Sequence, residues 1–422
     1  MRNLDILPED RKKRFLSCVE EDRISNLPEH LIDSILERLS VQDAVRTSVL
    51  SKRWRYRWTT MTSLVLDEQF AKKIVKYVAF GLNGFIRIVN QILILHPRAI
   101  SKLYLYIPNI SLDGFQEVHQ WMLFLSRSSV RELVLINANS LYPLPSHVFS
   151  CSELKKLKLK NCIFNTPLEF EGFPNLKDLF LKNIVFGPNC CVTKVSLPRL
   201  RNFTLYNCTL TCPDAMLCRL ANNPSLTVVC ITLRKPIENI LRVEYMNLAR
   251  LLSILPNVQR FIIDGHFIKF LSADKMSNWL PHADNSIKWM WLLDIQFSDM
   301  DQVQCVLSLL QTSRNLVRLG IHYSPMPQGM HYDVETALNH LESPNCFGRT
   351  LNQLETVSIE SLTGSRTELL FIKLLLAHSP SLDKLTIIPI KASDALLRLN
   401  IAKEIMRFPR ESRHAEIIYL DP

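Results

Sequence analysis

Asp264 and His266 stand two residues apart at the end of an apolar phrase, a spacing that could orient an imidazole as a general base. In a loop the same pair is more often a turn carrying a surface histidine. Cys208, Cys212 and Cys218 cluster, but no histidine at metal-ligand spacing joins them, and none of the 11 cysteines forms a C-x-x-C pair. Neither a G-x-S-x-G elbow nor an H-E-x-x-H segment occurs. The 10 glycines are nowhere grouped as G-x-G-x-x-G or as a phosphate-binding loop, which argues against a nucleotide-dependent enzyme. No catalytic, cofactor-binding or metal-ligating residue is expected, so the chemistry left to this chain is that of binding.

Binding residues do stand out. Tyr104 and Tyr106, then Lys156, Lys158 and Lys160, Phe180 and Lys182, Tyr206, Trp289 and Trp291, and His322 all occupy alternate positions of short apolar phrases. Tyr and Trp offer large contact area at small entropic cost, and lysines between them would favour an acidic partner. Tyr104, Tyr106, Lys156, Lys158, Phe180, Tyr206, Trp289, Trp291 and His322 are therefore the expected target-binding set. A second reading stays open: loops or the C-terminal segment cover Trp289 and Trp291, and the lysines only keep a long sheet soluble.

The phrases that carry these residues share one form, an apolar residue, two variable ones, then apolar-x-apolar. It occurs as ISKLYLY at 100, VRELVLI at 130, LKKLKLK at 154, LKDLFLK at 176, LRNFTLY at 200 and LTVVCIT at 226. It continues as VQRFIID at 258, IKWMWLL at 287, LVRLGIH at 316, LETVSIE at 354 and LDKLTII at 382. The intervals run from 22 to 38 residues, a ragged period around that of leucine-rich repeats (LRR). Each phrase alternates like a short strand, and the residues between are enough for a crossover to the next parallel strand. The expected fold is thus α/β, a horseshoe solenoid of parallel strands. Asn161-Cys162 and Asn207-Cys208 fall where such repeats bury an Asn or Cys at the strand end, which makes both cysteines packing residues.

Residues 22–60, DRISNLPEHLIDSILERLSVQDAVRTSVLSKRWRYRWTT, follow a different pattern. Asn26 can cap a helix with Pro28 and Glu29 in its first turn and Leu31, Ile32, Ile35, Leu36 and Leu39 at helical spacing. Ser40-Val-Gln-Asp43 reads as a capping-box-like start for a second helix bearing Ala44, Val45, Val49 and Leu50. Ser51 opens a basic third segment with Trp54 and Trp58 four apart. Three helices this short bury little surface alone and need a partner. The stretch resembles an F-box in the version found in large plant families, along its whole length. That resemblance implies docking on the Skp1 adaptor of a cullin-RING ubiquitin ligase, through Leu27, Pro28, Ile32, Ile35, Leu36, Leu39, Val45, Val49, Leu50, Trp54 and Trp58.

The C-terminal segment reads strand, helix, strand, helix, Phe408-Pro409-Arg410 and a last AEIIYL strand, and it resembles the FBD domain of plant F-box/LRR proteins. As a unit at the open end of a repeat stack it would hide the sheet edge and the last apolar face. The expected organisation is a loose tail over 1–21, the F-box over 22–61, a linker with the first packed helices over 62–99, repeats over 100–345 and the FBD segment over 346–422. Such an architecture implies a non-catalytic adaptor that holds a target protein near activated ubiquitin. The alternative is an LRR scaffold or small-ligand receptor whose N-terminal helices serve dimerisation.

Composition is that of an ordinary folded protein, not a disordered one: 47% of residues are hydrophobic and 21% charged. The formal charge of +10 is local, residues 150–202 holding nine Lys or Arg against four acids, so nucleic acid is not the expected partner. The N-terminus lacks an apolar signal region and no run of 18 apolar residues occurs, so neither secretion nor a membrane is expected. Free thiols then fit the cytoplasm or nucleus.

Overall fold

The computed structural model describes residues 24, 27–77, 81–96, 99–109, 116–187, 190, 195–210, 213–218, 220, 223–237, 246–272, 285–324 and 334–422. In chain order the strands are β1 (Ser63–Leu66), β2 (Lys102–Ile107), β3 (Glu132–Asn137), β4 (Tyr142–Pro143), β5 (Lys156–Lys160), β6 (Cys162–Phe164), β7 (Asp178–Lys182) and β8 (Val185–Phe186). They continue with β9 (Asn202–Cys208), β10 (Val228–Leu233), β11 (Arg260–Asp264), β12 (Trp289–Ile295), β13 (Arg318–Tyr323), β14 (Thr356–Leu362), β15 (Lys384–Pro389) and β16 (Glu416–Tyr419). Thirteen of them form one open sheet in sequence order, every pair parallel, and β4, β6 and β8 form a small second sheet. All eleven repeat phrases supply strands of the large sheet.

One face of each strand from β1 to β15 in the large sheet is buried: Leu103 and Leu105, Leu157 and Leu159, Ile321 and Ile359 are inaccessible to solvent. Crossovers cover that face, and their form follows the interval between phrases. The intervals of 22 and 24 residues from 130 to 200 leave room for a 3-10 turn at Ser146–Ser150 and the small sheet, and no α-helix occurs there among the described residues. In their place Phe149, Phe164, Phe170, Phe173 and Phe186 form a ring cluster with centroids 4.9 to 6.3 Å apart. Longer intervals carry helices such as Leu248–Ile254, Gly265–Ser272, Met300–Thr312, Val334–Glu342 and Arg366–Ala377.

The sheet begins earlier than expected. Residues 62–99, read as a linker with the first packed helices, also contain β1, which pairs in parallel with β2 from Ser63↔Lys102 to Leu66↔Leu105. Met61, Leu64 and Leu66 repeat the phrase in a form that the interval to residue 100 obscures. Helices Glu68–Tyr77 and Gly81–Ile94 then form the first crossover. The far end is also less closed than expected: β16 pairs only with β15, and helix Ala395–Met406 buries only Ile401 and Ile405 while Leu396, Leu397 and Leu399 stay exposed.

Candidate protein-interaction surfaces

The N-terminal helices are α1 (Glu29–Leu36) and α2 (Val41–Arg46), followed by 3-10 turns at Thr47–Val49 and Arg57–Thr60 instead of a third α-helix. Pro28 stands at the start of α1 without a side-chain cap, and Asn26, expected to supply one, lies outside the described residues. Ser40 does cap α2, its Oγ accepting from Asp43 N at 3.2 Å and donating to the Asp43 carboxylate at 2.8 Å.

Helical periodicity splits the module into two apolar faces. Ile32, Leu36, Val41, Ala44, Trp54 and Trp58 turn inward and join the same core as Leu64 and Leu66 of β1. Trp58 meets the His96 ring edge-on at 5.5 Å, Trp54 Nε1 donates to Ile24 O at 3.3 Å, and burial lowers the pKa of His96. The outer face holds Leu31, Ile35, Val45 and Leu50, all exposed, and Val49, which is 87% exposed. Pro28 is exposed too, and Leu27 and Leu39 are half-buried. Leu27, Leu31 and Ile35 line, with Ser34 and Arg38, an open groove of about 280 Å³. So among the residues that the F-box resemblance assigned to Skp1, Ile32, Leu36, Trp54 and Trp58 instead fasten the module to the sheet. Leu31 belongs to the outer face and was not among them. The sequence shows two apolar stripes, and which one turns inward depends on where β1 lies.

The second surface is the sheet face opposite the crossovers. Register aligns its side chains in rows: Tyr104, Val134, Lys158, Phe180, Thr204, Cys230, Ile262, Trp291, Gly320 and Ser358 follow one another across the strands. A parallel row one residue pair earlier holds Lys102, Glu132, Lys156, Asp178, Asn202, Val228, Arg260, Trp289, Arg318 and Thr356. Lys158 Nζ sits 4.6 Å from the Phe180 ring centre and Lys182 Nζ 4.5 Å from that of Tyr206. The Trp289 and Trp291 rings lie 5.9 Å apart, and Trp291 spreads across its neighbour in the next strand, since a Cβ on Gly320 would come within 2.3 Å of that ring.

Comparison with known proteins rests on this geometry. The F-box domain model matches residues 24–66, and a model described as FBD-associated F-box protein At5g56370, LRR repeats, matches residues 118–190. The F-box/FBD/LRR-repeat protein At1g13570 of Arabidopsis thaliana is 31% identical over 417 residues, covering 94% of this chain and 98% of that protein. The chain belongs to the F-box/FBD/LRR-repeat family. A second Arabidopsis thaliana relative, F-box/FBD/LRR-repeat protein At5g56420, is 24% identical over 445 residues and covers 94% of this chain and 99% of its own length.

As an F-box/FBD/LRR-repeat protein, the chain places its expected target residues unequally. Lys156 and Tyr206 are exposed, whereas Lys158, Phe180, Trp289, Trp291 and His322 are half-buried on the open face. Tyr104 and Tyr106 are half-buried beside Asp67 and Glu68, and burial, reinforced by those carboxylates, raises the pKa of Tyr104. β1 adds a neighbouring strand on their side of the sheet, Val65 pairing with Tyr104. Arg260, Lys288 and Arg318, which surround Trp289, were not singled out from sequence. Their places among the two variable residues that follow the first apolar residue of each phrase were the available signal.

At the strand ends, Asn161, Asn183 and Asn207 adopt left-handed backbone with φ of 58, 52 and 55°. Asn183 Nδ2 donates to Asn161 Oδ1 at 2.9 Å and Asn207 Nδ2 to Asn183 Oδ1 at 2.7 Å. Cys162 and Cys208 follow them, fully buried, and burial pushes each thiol up to about 12. The Asp264-x-His266 pair is not a catalytic loop: Asp264 is buried, with Oδ2 accepting from Leu233 N at 2.7 Å and Oδ1 from Phe267 N at 3.0 Å. Both carboxylate oxygens thus tie backbone groups.

One acid–imidazole–hydroxyl set does occur. Ser361 Oγ lies 3.0 Å from His322 Nε2, and Asp294 Oδ1 lies 3.0 Å from Nδ1. The Asp294 carboxylate is 64% exposed and sits off the Nδ1–H direction, unlike the buried, hydrogen-bonded acid that orients a catalytic histidine. Asp294 and Ser361 have left-handed φ of 53 and 60°, so the set continues the strand-end ties in the second half of the sheet. No group of three His, Cys, Asp or Glu suited to a metal occurs among the described residues, and no described helix is long and apolar enough to cross a membrane.

Proposed function

We propose that this chain is the target-recognition subunit of a Skp1–cullin–F-box ubiquitin ligase, working in the cytoplasm or nucleus. The outer face of α1 and α2 holds a Skp1-type adaptor and the open face of the sheet holds a target protein. The observation that carries this reading is the apolar groove of Leu27, Leu31 and Ile35, together with the exposed Val49 and Leu50, a surface that the described residues leave uncovered. The subunit itself does no chemistry. It raises the concentration of target lysines near ubiquitin carried by another subunit.

The test is co-expression with Skp1. Leu31→Asp with Ile35→Asp should abolish co-purification while the melting temperature of the chain holds. Ile32→Asp should instead unfold the start of the sheet. Skp1 binding that survives the Leu31/Ile35 change sinks the ligase reading. A dimer that these same changes dissociate, in the absence of any Skp1 binding, would favour the scaffold reading. Targets are then recovered on a variant that cannot bind Skp1, and Trp291→Ala should weaken their capture by about 1–4 kcal/mol, the loss typical of an interface anchor.

A further inference from the structure

We propose that the groove where β11, β12 and β13 begin is a phosphate-recognition site, built to hold a phosphorylated segment of the target protein. The inference rests on the reading that the open face binds a target.

Register sets Trp289 between Arg260 and Arg318 on its two neighbours, and Lys288 stands one residue before Trp289. Strands in a sheet lie about 4.8 Å apart, so the two arginine stems rise from positions roughly 10 Å apart on either side of the ring. The Arg260 guanidinium carbon lies 5.8 Å from the Trp289 ring centre. Together with Gln259 and Val317 these residues line an open groove of about 480 Å³. Its lining has three cations and no carboxylate. Among the described residues neither Lys288 nor Arg318 has an ion-paired partner, whereas Lys102 in the same row meets Glu132 at 3.6 Å.

Three positive charges around one groove, with no ion pair to any of them among the described residues, fit a dianion better than a single carboxylate, and arginine forks suit the paired oxygens of phosphate. The surroundings favour one such group over a chain of them. Moving along the row, Arg260 is followed by Val228, Asn202 and Asp178 on one side, and Arg318 by Thr356 on the other. In the preceding row Val317 is followed by Glu355, whose N donates to Val317 O at 2.9 Å, and then by Asp383, whose N donates to Glu355 O at 2.9 Å. A nucleic acid laid across the sheet would meet those acids, while a peptide with one phosphate would not. The Trp289 and Trp291 rings would receive the apolar residues flanking the modified side chain.

The full chain, co-purified with Skp1, is tested by fluorescence anisotropy against oriented peptide libraries with phosphoserine, phosphothreonine or phosphotyrosine fixed at the centre, and against their unmodified counterparts. At least one phosphorylated library should bind about tenfold or more tightly, since two or three charge-assisted hydrogen bonds distinguish it. Arg260→Gln with Arg318→Gln should erase that preference without moving Skp1 binding or the melting temperature, and Lys373→Gln with Lys403→Gln, exposed on the helices Arg366–Ala377 and Ala395–Met406, should keep it. Equal binding of modified and unmodified libraries overturns the proposal. So does competition by inorganic phosphate at the peptide's own concentration, which would leave a bare anion site, or tighter binding of a single-stranded RNA oligonucleotide. If phosphatase treatment leaves target capture intact while Trp291→Ala abolishes it, this inference fails and the adaptor reading stands.

Discussion

The β5–β9 and β11–β14 stretches use the same strand phrase and are held at their ends by opposite chemistry. In the first, neutral amides link successive turns, from Asn161 through Asn183 to Asn207. In the second, buried or part-buried carboxylates stand at helix starts: Asp264 before Gly265–Ser272, Asp299 capping Met300–Thr312, and Glu368 in the capping box of Arg366–Ala377. The difference follows from crossover length at Asn161 and Asn183, while the crossover after Asn207 carries only the short helix Pro213–Cys218. A short crossover brings no helix dipole to the strand end, so a side chain that both donates and accepts must satisfy the turn. A longer one brings a helix N-terminus, which favours an anion.

The comparison breaks most visibly at the amide ladder. Asn183→Ala should destabilise by about 3 kcal/mol, combining roughly 1–2 kcal/mol for a non-glycine residue forced left-handed with the loss of two side-chain hydrogen bonds. Asn183→Gly should recover the backbone share and leave the rest. Urea unfolding separates the two contributions. A loss below about 0.5 kcal/mol for the alanine variant, the level of an ordinary surface change, would mean the ladder is incidental.

The second half should respond to pH where the first does not. Burial raises Asp264 from 3.8 to about 7, opposed by the backbone donors Phe267 N and Leu233 N and assisted by the Asp294 charge. Because the folded value exceeds the unfolded one, the contribution of this group is fully present below about pH 4 and fades as pH rises through 7. The parent should therefore lose on the order of 2 kcal/mol between pH 5 and 8 through this group. Asp264→Asn should flatten that slope, whereas Asn207→Asp should introduce a new one in the first half. An unchanged slope in Asp264→Asn would remove the distinction.

Much of this contrast could be read from sequence and some could not. The phrase apolar-x-x-apolar-x-apolar marks every strand of the large sheet from β2 to β15 because one sheet face is continuously buried, and the Asn-Cys pairs mark the turns for the same reason. Met61, Leu64 and Leu66 carry the phrase as well, but a single copy beside an amphipathic helical stretch has no neighbour to set its period. Missing β1 also misassigned the F-box: without it, nothing says that Ile32, Leu36, Trp54 and Trp58 have a surface to pack on. The Arg260–Trp289–Arg318 row depends on lateral register, which no local pattern encodes.

A smaller effect tests how the open face is shaped. Gly320→Ala places a methyl where the Trp291 ring lies, and should cost about 1–3 kcal/mol while moving tryptophan emission as the ring lifts from the strand. Thr204, in the same row on β9, has the partner Phe180 on its neighbour, and Thr204→Ala should leave emission unchanged. A Gly320→Ala spectrum identical to the parent's would show that Trp291 has room elsewhere.

The smallest effect sharpens the comparison most, because it separates stabilising cations from recognition cations. Lys158 and Lys182 each lie over an aromatic ring in the first half, and Lys158→Met and Lys182→Met should each lose about 0.5–1 kcal/mol, the range for an exposed cation–ring contact. Arg260 approaches Trp289 less closely, at 5.8 Å, and faces two further cations. Arg260→Met should then be neutral or slightly stabilising, since relief of like charge offsets the lost ring contact. Raising the salt concentration should narrow the difference between Arg260→Met and its parent, because screening weakens the repulsion that the substitution removes. A cation retained against its own neighbours' repulsion is one whose counter-charge comes from outside the chain, so an Arg260→Met variant as destabilised as Lys158→Met would assign Arg260 to the fold instead of the partner.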